Sequence, residues 1–146
     1  MIDKKHIGMR FPLHQATVEA GQLRFFAKAT GETNSVYFDE VAARAADHPG
    51  LPVPPTFFFS MELSRPPSTW REDMGIELAR VLHGEQSFTY HRMAYAGDLL
   101  SFDCRVADIY DKKGGALDFL VRETRVTNQR GEHVADLRSV LVQRNG

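Results

Sequence analysis

The chain changes its hydrophobic period once, near residue 81. Before that point apolar residues recur at helical spacing, and after it they alternate with polar ones. Val18 to Thr30 carries Leu23, Phe26, Ala27 and Thr30 three or four residues apart, which predicts an amphipathic helix. Gly31 supplies its stop, because glycine enters the left-handed conformation that ends helices without steric cost. Phe38 to Ala46, rich in Ala, predicts a second, shorter helix. His48 to Pro55 is loop, and Pro55 then suits the first turn of a helix, where its fixed φ fits and its missing N–H costs nothing. Phe57, Phe58, Phe59, Met61 and Leu63 follow. A helix over Pro55 to Leu63 is apolar on nearly every side and is expected to be buried. Residues 1–15 mix charge, Gly and Pro and read as an irregular arm. Arg65 to Gly75, polar with a proline pair, reads as a mobile loop.

In the second half, Leu100, Phe102, Cys104, Val106 and Asp108 alternate with Ser101, Asp103, Arg105 and Ala107. Leu117, Phe119 and Val121 alternate likewise, and Val134 to Val142 forms a third, less regular run. Lys112-Lys113-Gly114-Gly115 and Asn128-Gln129-Arg130-Gly131 separate the runs as turns. Such strands span roughly ten residues against a usual five or six. Helices followed by long antiparallel strands argue an α+β domain. With 146 residues and no internal repeat, one domain over residues 1–146 is expected.

Composition narrows the classes. Hydrophobic residues make up 42%, with ten Phe, enough for a substantial core. A net charge of −1 provides no field toward nucleic acid or an anionic membrane, so neither is expected as a partner. Cys104, the lone cysteine, cannot form an internal disulfide, which suits a reducing cytosol. No run reaches the ~18 apolar residues of a membrane span. Met1-Ile2-Asp3-Lys4-Lys5-His6 has no apolar stretch behind it and does not read as a signal peptide, so a cytoplasmic location is expected. The six His show no zinc-site spacing, and no metal is expected. Phosphate-loop, dinucleotide and Gly-x-Ser-x-Gly motifs are absent.

One loop ties these elements to a chemistry. Gly31-Glu32-Thr33-Asn34-Ser35-Val36-Tyr37-Phe38-Asp39, set between an amphipathic helix and a proline-led apolar one, resembles the active-site loop of MaoC-like (R)-specific enoyl-thioester hydratases. That loop reads Gly-Asp-x-Asn-Pro-x-His-x-Asp. Leu51-Pro52-Val53-Pro54-Pro55-Thr56-Phe57, His83 to Arg92 and Ala96-Gly97-Asp98 extend the resemblance to the N-terminal-type MaoC dehydratase domain, over roughly residues 8–144. That group includes the non-catalytic subunit of a mycobacterial (3R)-hydroxyacyl thioester dehydratase. The resemblance implies the hot-dog fold, an antiparallel sheet wrapped round a buried helix. It also implies reversible hydration of a trans-2-enoyl thioester carried on CoA or acyl-carrier protein, with no further cofactor. It further implies sheet-to-sheet pairing as a homodimer or as a heterodimer with a catalytic MaoC-like chain.

Hydration of an enoyl thioester needs a base for the water, an acid for the α-carbon and donors for the enolate oxygen. In the family the loop's Asp and His move the proton, and a backbone N–H at the start of the buried helix holds the thioester oxygen. Here Glu32 stands in the Asp register and Tyr37 in the His register. Glu32 is a methylene longer, and a ~1 Å misplacement can cost about a hundredfold in rate. Tyr37, with a reference pKa of ~10, is a poor base at neutral pH, though it can donate a hydrogen bond. Pro54 and Pro55 have no N–H, which leaves Thr56 and Phe57 as candidate oxyanion donors. His83 and Glu85, two apart on an expected strand, would share a face and form a replacement acid/base pair. Asn34 is read first as a turn-holding side chain and is also a candidate for substrate binding, as is Glu85. Arg92, with Arg65 and Arg71, is a candidate for the carrier's phosphate. The plainer alternatives are a loop carboxylate for Glu32, a packing aromatic for Tyr37 and a backbone-bound imidazole for His83. Three functions stay open: a substrate-channel subunit lacking the usual Asp/His pair, a homodimeric hydratase using Glu32, Tyr37 or His83, and a hot-dog thioesterase or non-enzymatic acyl-CoA-binding protein.

Overall fold

The computed structural model describes residues 1–146. Five strands form one antiparallel sheet: β1 His14–Thr17, β2 Val81–Tyr90, β3 Leu99–Lys112, β4 Leu117–Thr127 and β5 His133–Arg144, in the order β1-β3-β4-β5-β2. Four helices precede the long strands: α1 Ala20–Ala29, α2 Glu40–Ala45, α3 Phe57–Leu63 and α4 Trp70–Asp73. The arm read as irregular contains β1, whose His14 pairs with Phe102. The turns fall where Gly and a left-handed Lys permit them: Lys113 and Gly114 have positive φ at one, Gly131 at the other.

The core lies between α3 and the sheet. Phe57, Phe58 and Met61 pack with Leu100, Phe102, Val126 and Leu137, while Leu23 and Val18 close the side toward α1. The helix is shorter than expected and is not enclosed. Phe57, Phe58, Met61 and Glu62 are buried, but Phe59 and Ser60 are half-buried and Leu63 is 58% exposed. One chain's sheet covers only one side of it.

A second cluster corrects the reading of Arg65 to Gly75 as a mobile loop. Met74 is buried against Phe11, Cys104, Val106 and Leu120, as is the neighbouring Ile76. Trp70 meets Phe11 edge-on, with centroids 5.2 Å apart. The segment is a packed cover over one end of the sheet, and burial pushes the Cys104 thiol beneath it above its ordinary pKa.

Three register shifts interrupt the ladders, at Val126/Thr127 of β4 and at one point each in β3 and β2. In β3 the register shifts between Val106 and Asp108, so Ile109 takes the inner face opposite Leu120, and Asp108 pairs with Val121. Val121, Val140 and Val142 form a separate apolar cluster on the outer face. In β2 the shift falls between His83 and Glu85. His83 pairs with Leu141, which packs into the inner cluster, and Glu85 pairs with Val140 of the outer one. The extra residue is Gly84. A Cβ there would lie 2.7 Å from Val142 Cγ2 and 3.1 Å from the Val140 carbonyl oxygen, so only glycine fits without a shift.

Candidate active site

The loop after α1 builds itself from its own polar groups. α1 ends in a Schellman motif: Gly31 N–H donates to the Lys28 carbonyl at 3.2 Å and Glu32 N–H to that of Ala27 at 2.9 Å, with Gly31 at φ +75°. Glu32 Oε1 then accepts from the N–H groups of Thr33 and Asn34, each at 2.8 Å. Asn34 Oδ1 accepts from Val36 N–H at 3.2 Å and caps a 3₁₀ turn over Ser35–Tyr37. Asp39 Oδ1 does the same for Val41 N–H, at the start of α2. Arg24 Nε donates to the Phe38 carbonyl at 2.8 Å and ties the loop back to α1. Asn34 thus has the turn-holding geometry expected of it, and Glu32 shares that work.

Tyr37 is half-buried and lines a cleft of about 350 Å³ with Val53, Pro55, Phe58, Tyr90 and Arg92. Neither Glu32 nor Thr56 lines this cleft. Both are exposed. At the start of α3, Phe57 N–H donates to the Pro54 carbonyl at 3.0 Å. That N–H, one of the two donors expected for a thioester oxygen, is already committed, and the Phe57 ring is buried against Phe26 at 5.1 Å. Thr56 N–H makes no backbone hydrogen bond. Tyr90 Oη donates to the Pro55 carbonyl at 2.7 Å, fixing the end of β2 to the start of α3. Burial holds the Tyr90 phenol above its usual pKa.

His83 and Glu85 do not share a face, because the Gly84 bulge turns them apart. His83 stacks on Phe59 of α3, with centroids 5.1 Å apart and planes at 4°. Glu85 pairs with Arg138 on the outer face at 3.3 Å. Of the candidate phosphate ligands, Arg92 lines the cleft and reaches Glu132 at 3.5 Å. Arg65 is taken up by the Pro12 and Phe102 carbonyls, at 2.7 and 3.0 Å. Arg71 lies over the Trp70 ring at 4.8 Å.

The family model described as FAS1-like, dehydratase domain region matches residues 5–137. The chain belongs to this dehydratase-region family. A UPF0336 protein of Streptomyces coelicolor is 34% identical over 146 residues, 98% of this chain and 95% of its own. One chain of the C-terminally truncated HadBC (3R-hydroxyacyl-ACP dehydratase) complex of Mycobacterium tuberculosis superposes with a TM-score of 0.77. It is 25% identical over 94% of this chain and 96% of that one. A MaoC-like dehydratase gives 0.82 at 22% identity over 97% of this chain and 43% of that one. The chain therefore has the hot-dog fold of these dehydratase structures. No helix is long and apolar enough to cross a membrane, which leaves β-barrel spans unaddressed.

Two polar groupings were not legible in the sequence. Glu62 is 4% exposed on α3 and accepts from the Thr124 hydroxyl of β4. A glutamate inside an apolar helical run is the only hint the sequence carries. His91, His133 and Asp136 meet where β2 leaves the sheet beside the start of β5. His133 and Asp136 stand three residues apart, but His91 lies 45 residues before Asp136, so no local spacing marks the group of three.

Proposed function

We propose that this chain is the substrate-channel subunit of an acyl-thioester (R)-specific enoyl hydratase or 3-hydroxyacyl dehydratase, paired with a MaoC-like chain that carries the Asp and His. The observation that carries this reading is Glu32. Its carboxylate occupies the register of the family's Asp but accepts from two amides of its own loop, outside the cleft that Tyr37 lines. A carboxylate so engaged is not placed to activate water, and Tyr37 has no basic nitrogen to replace the missing His.

The surfaces left open support the pairing. β2 is a ten-residue edge strand, exposed along most of its length, with Leu82 open to solvent. Natural proteins cover such edges, and a partner's sheet continued through β2 would do so. The uncovered side of α3 borders a groove of about 730 Å³ in which Phe25, Phe26, Phe57 and Met61 provide apolar walls. An acyl chain needs that kind of wall, and the substrate class would be a trans-2-enoyl or (3R)-3-hydroxyacyl ester of CoA or acyl-carrier protein. The assembly itself provides the test. Co-expressed with an Asp–His MaoC-like chain of the same organism, this chain of 16.5 kDa should run in sedimentation as a 1:1 pair. Ser60→Trp, at the half-buried groove wall, should then shorten the longest acyl chain the pair accepts. Monomer only, or an unchanged chain-length profile, would count against the reading.

A homodimeric hydratase is the second reading, and the position of His83 favours it. Its imidazole sits on the inner face, stacked on Phe59, beside the open side of α3. Turnover by the purified chain, lost in His83→Ala, would select this alternative.

A further inference from the structure

His91, His133 and Asp136 converge in a way the proposed channel does not use. His91 Nε2 lies 2.7 Å from Asp136 Oδ2, and His133 Nε2 lies 2.8 Å from Asp136 Oδ1. The two imidazole centroids are 4.1 Å apart. One donor atom from each of the three residues falls within 4.8 Å of the others. We propose that these three side chains form a binding site for a divalent cation of the zinc class, at the rim of the Tyr37 cleft.

The donor set carries the chemistry. Two imidazole nitrogens and one carboxylate oxygen are ligands zinc takes at ~2.0–2.2 Å, and three protein ligands leave a fourth position for water. Bonds of that length separate tetrahedral ligand atoms by roughly 3.3 Å, so modest side-chain rotation brings these three into range. His91 is exposed, and His133 and Asp136 are half-buried, so an ion has an entry path and the rings have room to turn.

The backbone fixes the placement. The N–H groups of His91 and Arg92 both donate to the Val134 carbonyl, at 2.9 and 3.1 Å. The exit of β2 is thereby held against the start of β5, and His91 cannot drift away from His133. Both rings turn the same atom, Nε2, toward one carboxylate. The nearest cation on this segment, Arg92, reaches Glu132 at 3.5 Å. Arg125 stands opposite Asp136 on β4, and its charge opposes cation binding. A bound ion would clip the segment that carries Arg92 and Met93 into the cleft wall.

Tag-free chain, stripped with a chelator, should be titrated with Zn²⁺ by calorimetry and with Co²⁺ by visible absorption. The expected result is one ion per chain, with the absorption bands of imidazole-ligated Co²⁺. His133→Ala and Asp136→Asn should each weaken binding at least ~10-fold, the loss that even an outer-shell change can cause. His6→Ala should leave binding intact. Circular dichroism of the metal-free variants separates ligand loss from misfolding. If a variant unfolds, the Co²⁺ spectrum of the wild type, with or without low-energy bands of imidazole ligation, decides. Absence of saturable binding, binding at no fixed stoichiometry, or affinity unchanged in both variants would overturn the proposal.

Discussion

Glu32 Oε1 accepts the N–H of Asn34 at 2.8 Å. The same oxygen takes the N–H of Thr33, so the carboxylate closes the turn that follows α1. If this is its work, Glu32→Gln, which keeps the acceptor oxygen, should leave stability and the activity of the assembled pair unchanged. Glu32→Ala should cost about 1 kcal/mol, as loss of a capping acceptor does. For a chain of this size that lowers Tm by roughly 2–4 °C. Thermal melts of the two variants check it.

The bulge at Gly84 predicts a backbone effect. Gly84→Ala places a methyl 2.7 Å from Val142 Cγ2, beside the Val140 carbonyl. Forcing a methyl into such a site costs about 1–3 kcal/mol. Urea unfolding should show the loss, and the ring-current shift of His83 against Phe59 should change in NMR as the strand re-phases.

Thr124 is the donor to a buried carboxylate. In Thr124→Val the shape is kept and the hydroxyl is lost, leaving Glu62 without that partner. An unsatisfied buried acceptor costs about 1–3 kcal/mol. Chemical denaturation should show a lower midpoint at an unchanged slope, and adding Glu62→Gln should recover part of it.

Tyr90 predicts an alkaline limb. Burial raises its phenol above the unfolded value of 10.0, so the folded chain keeps the proton longer than the unfolded one. The stability this contributes is whole below pH ~10 and is lost as pH rises through the folded pKa. Comparing unfolding midpoints at neutral pH and above pH ~10 should give a steeper fall for wild type than for Tyr90→Phe. The variant should also be weaker at neutral pH by about 1 kcal/mol, for the lost bond to the Pro55 carbonyl.

The apolar spacing around Leu23 and the Gly31 stop identify α1 because both signals are local, and the Phe57–Met61 run identifies α3 for the same reason. β1 escaped because four residues carry no period and its partner, Phe102, lies far along the chain. The shared face of His83 and Glu85 failed because a one-residue bulge inverts side-chain phase, and alternation alone cannot count an unpaired glycine. Segment 65–75 looked mobile because its polar residues outnumber its anchors; burial of Met74 and the contact of Trp70 with Phe11 fix it. In the candidate site, Tyr37 lines the cleft while Glu32 turns back onto the amides of its own loop, a difference set by local hydrogen bonds. The commitment of Phe57 N–H to Pro54 is a backbone geometry that no composition encodes.

Whether this chain needs an Asp–His partner for hydration is decided by a rate. Hydration of crotonyl-CoA and of a longer trans-2-enoyl-CoA should be followed with the purified chain alone, with an Asp–His MaoC-like partner alone, and with the two together. A missing general acid/base removes about 10²–10⁴-fold. Expected are background turnover by this chain alone and restored turnover of the longer ester only in the mixture. Turnover by this chain alone near the ~10 s⁻¹ typical of enzymes would contradict this expectation, and loss of that rate in His83→Ala would move the catalytic role to His83.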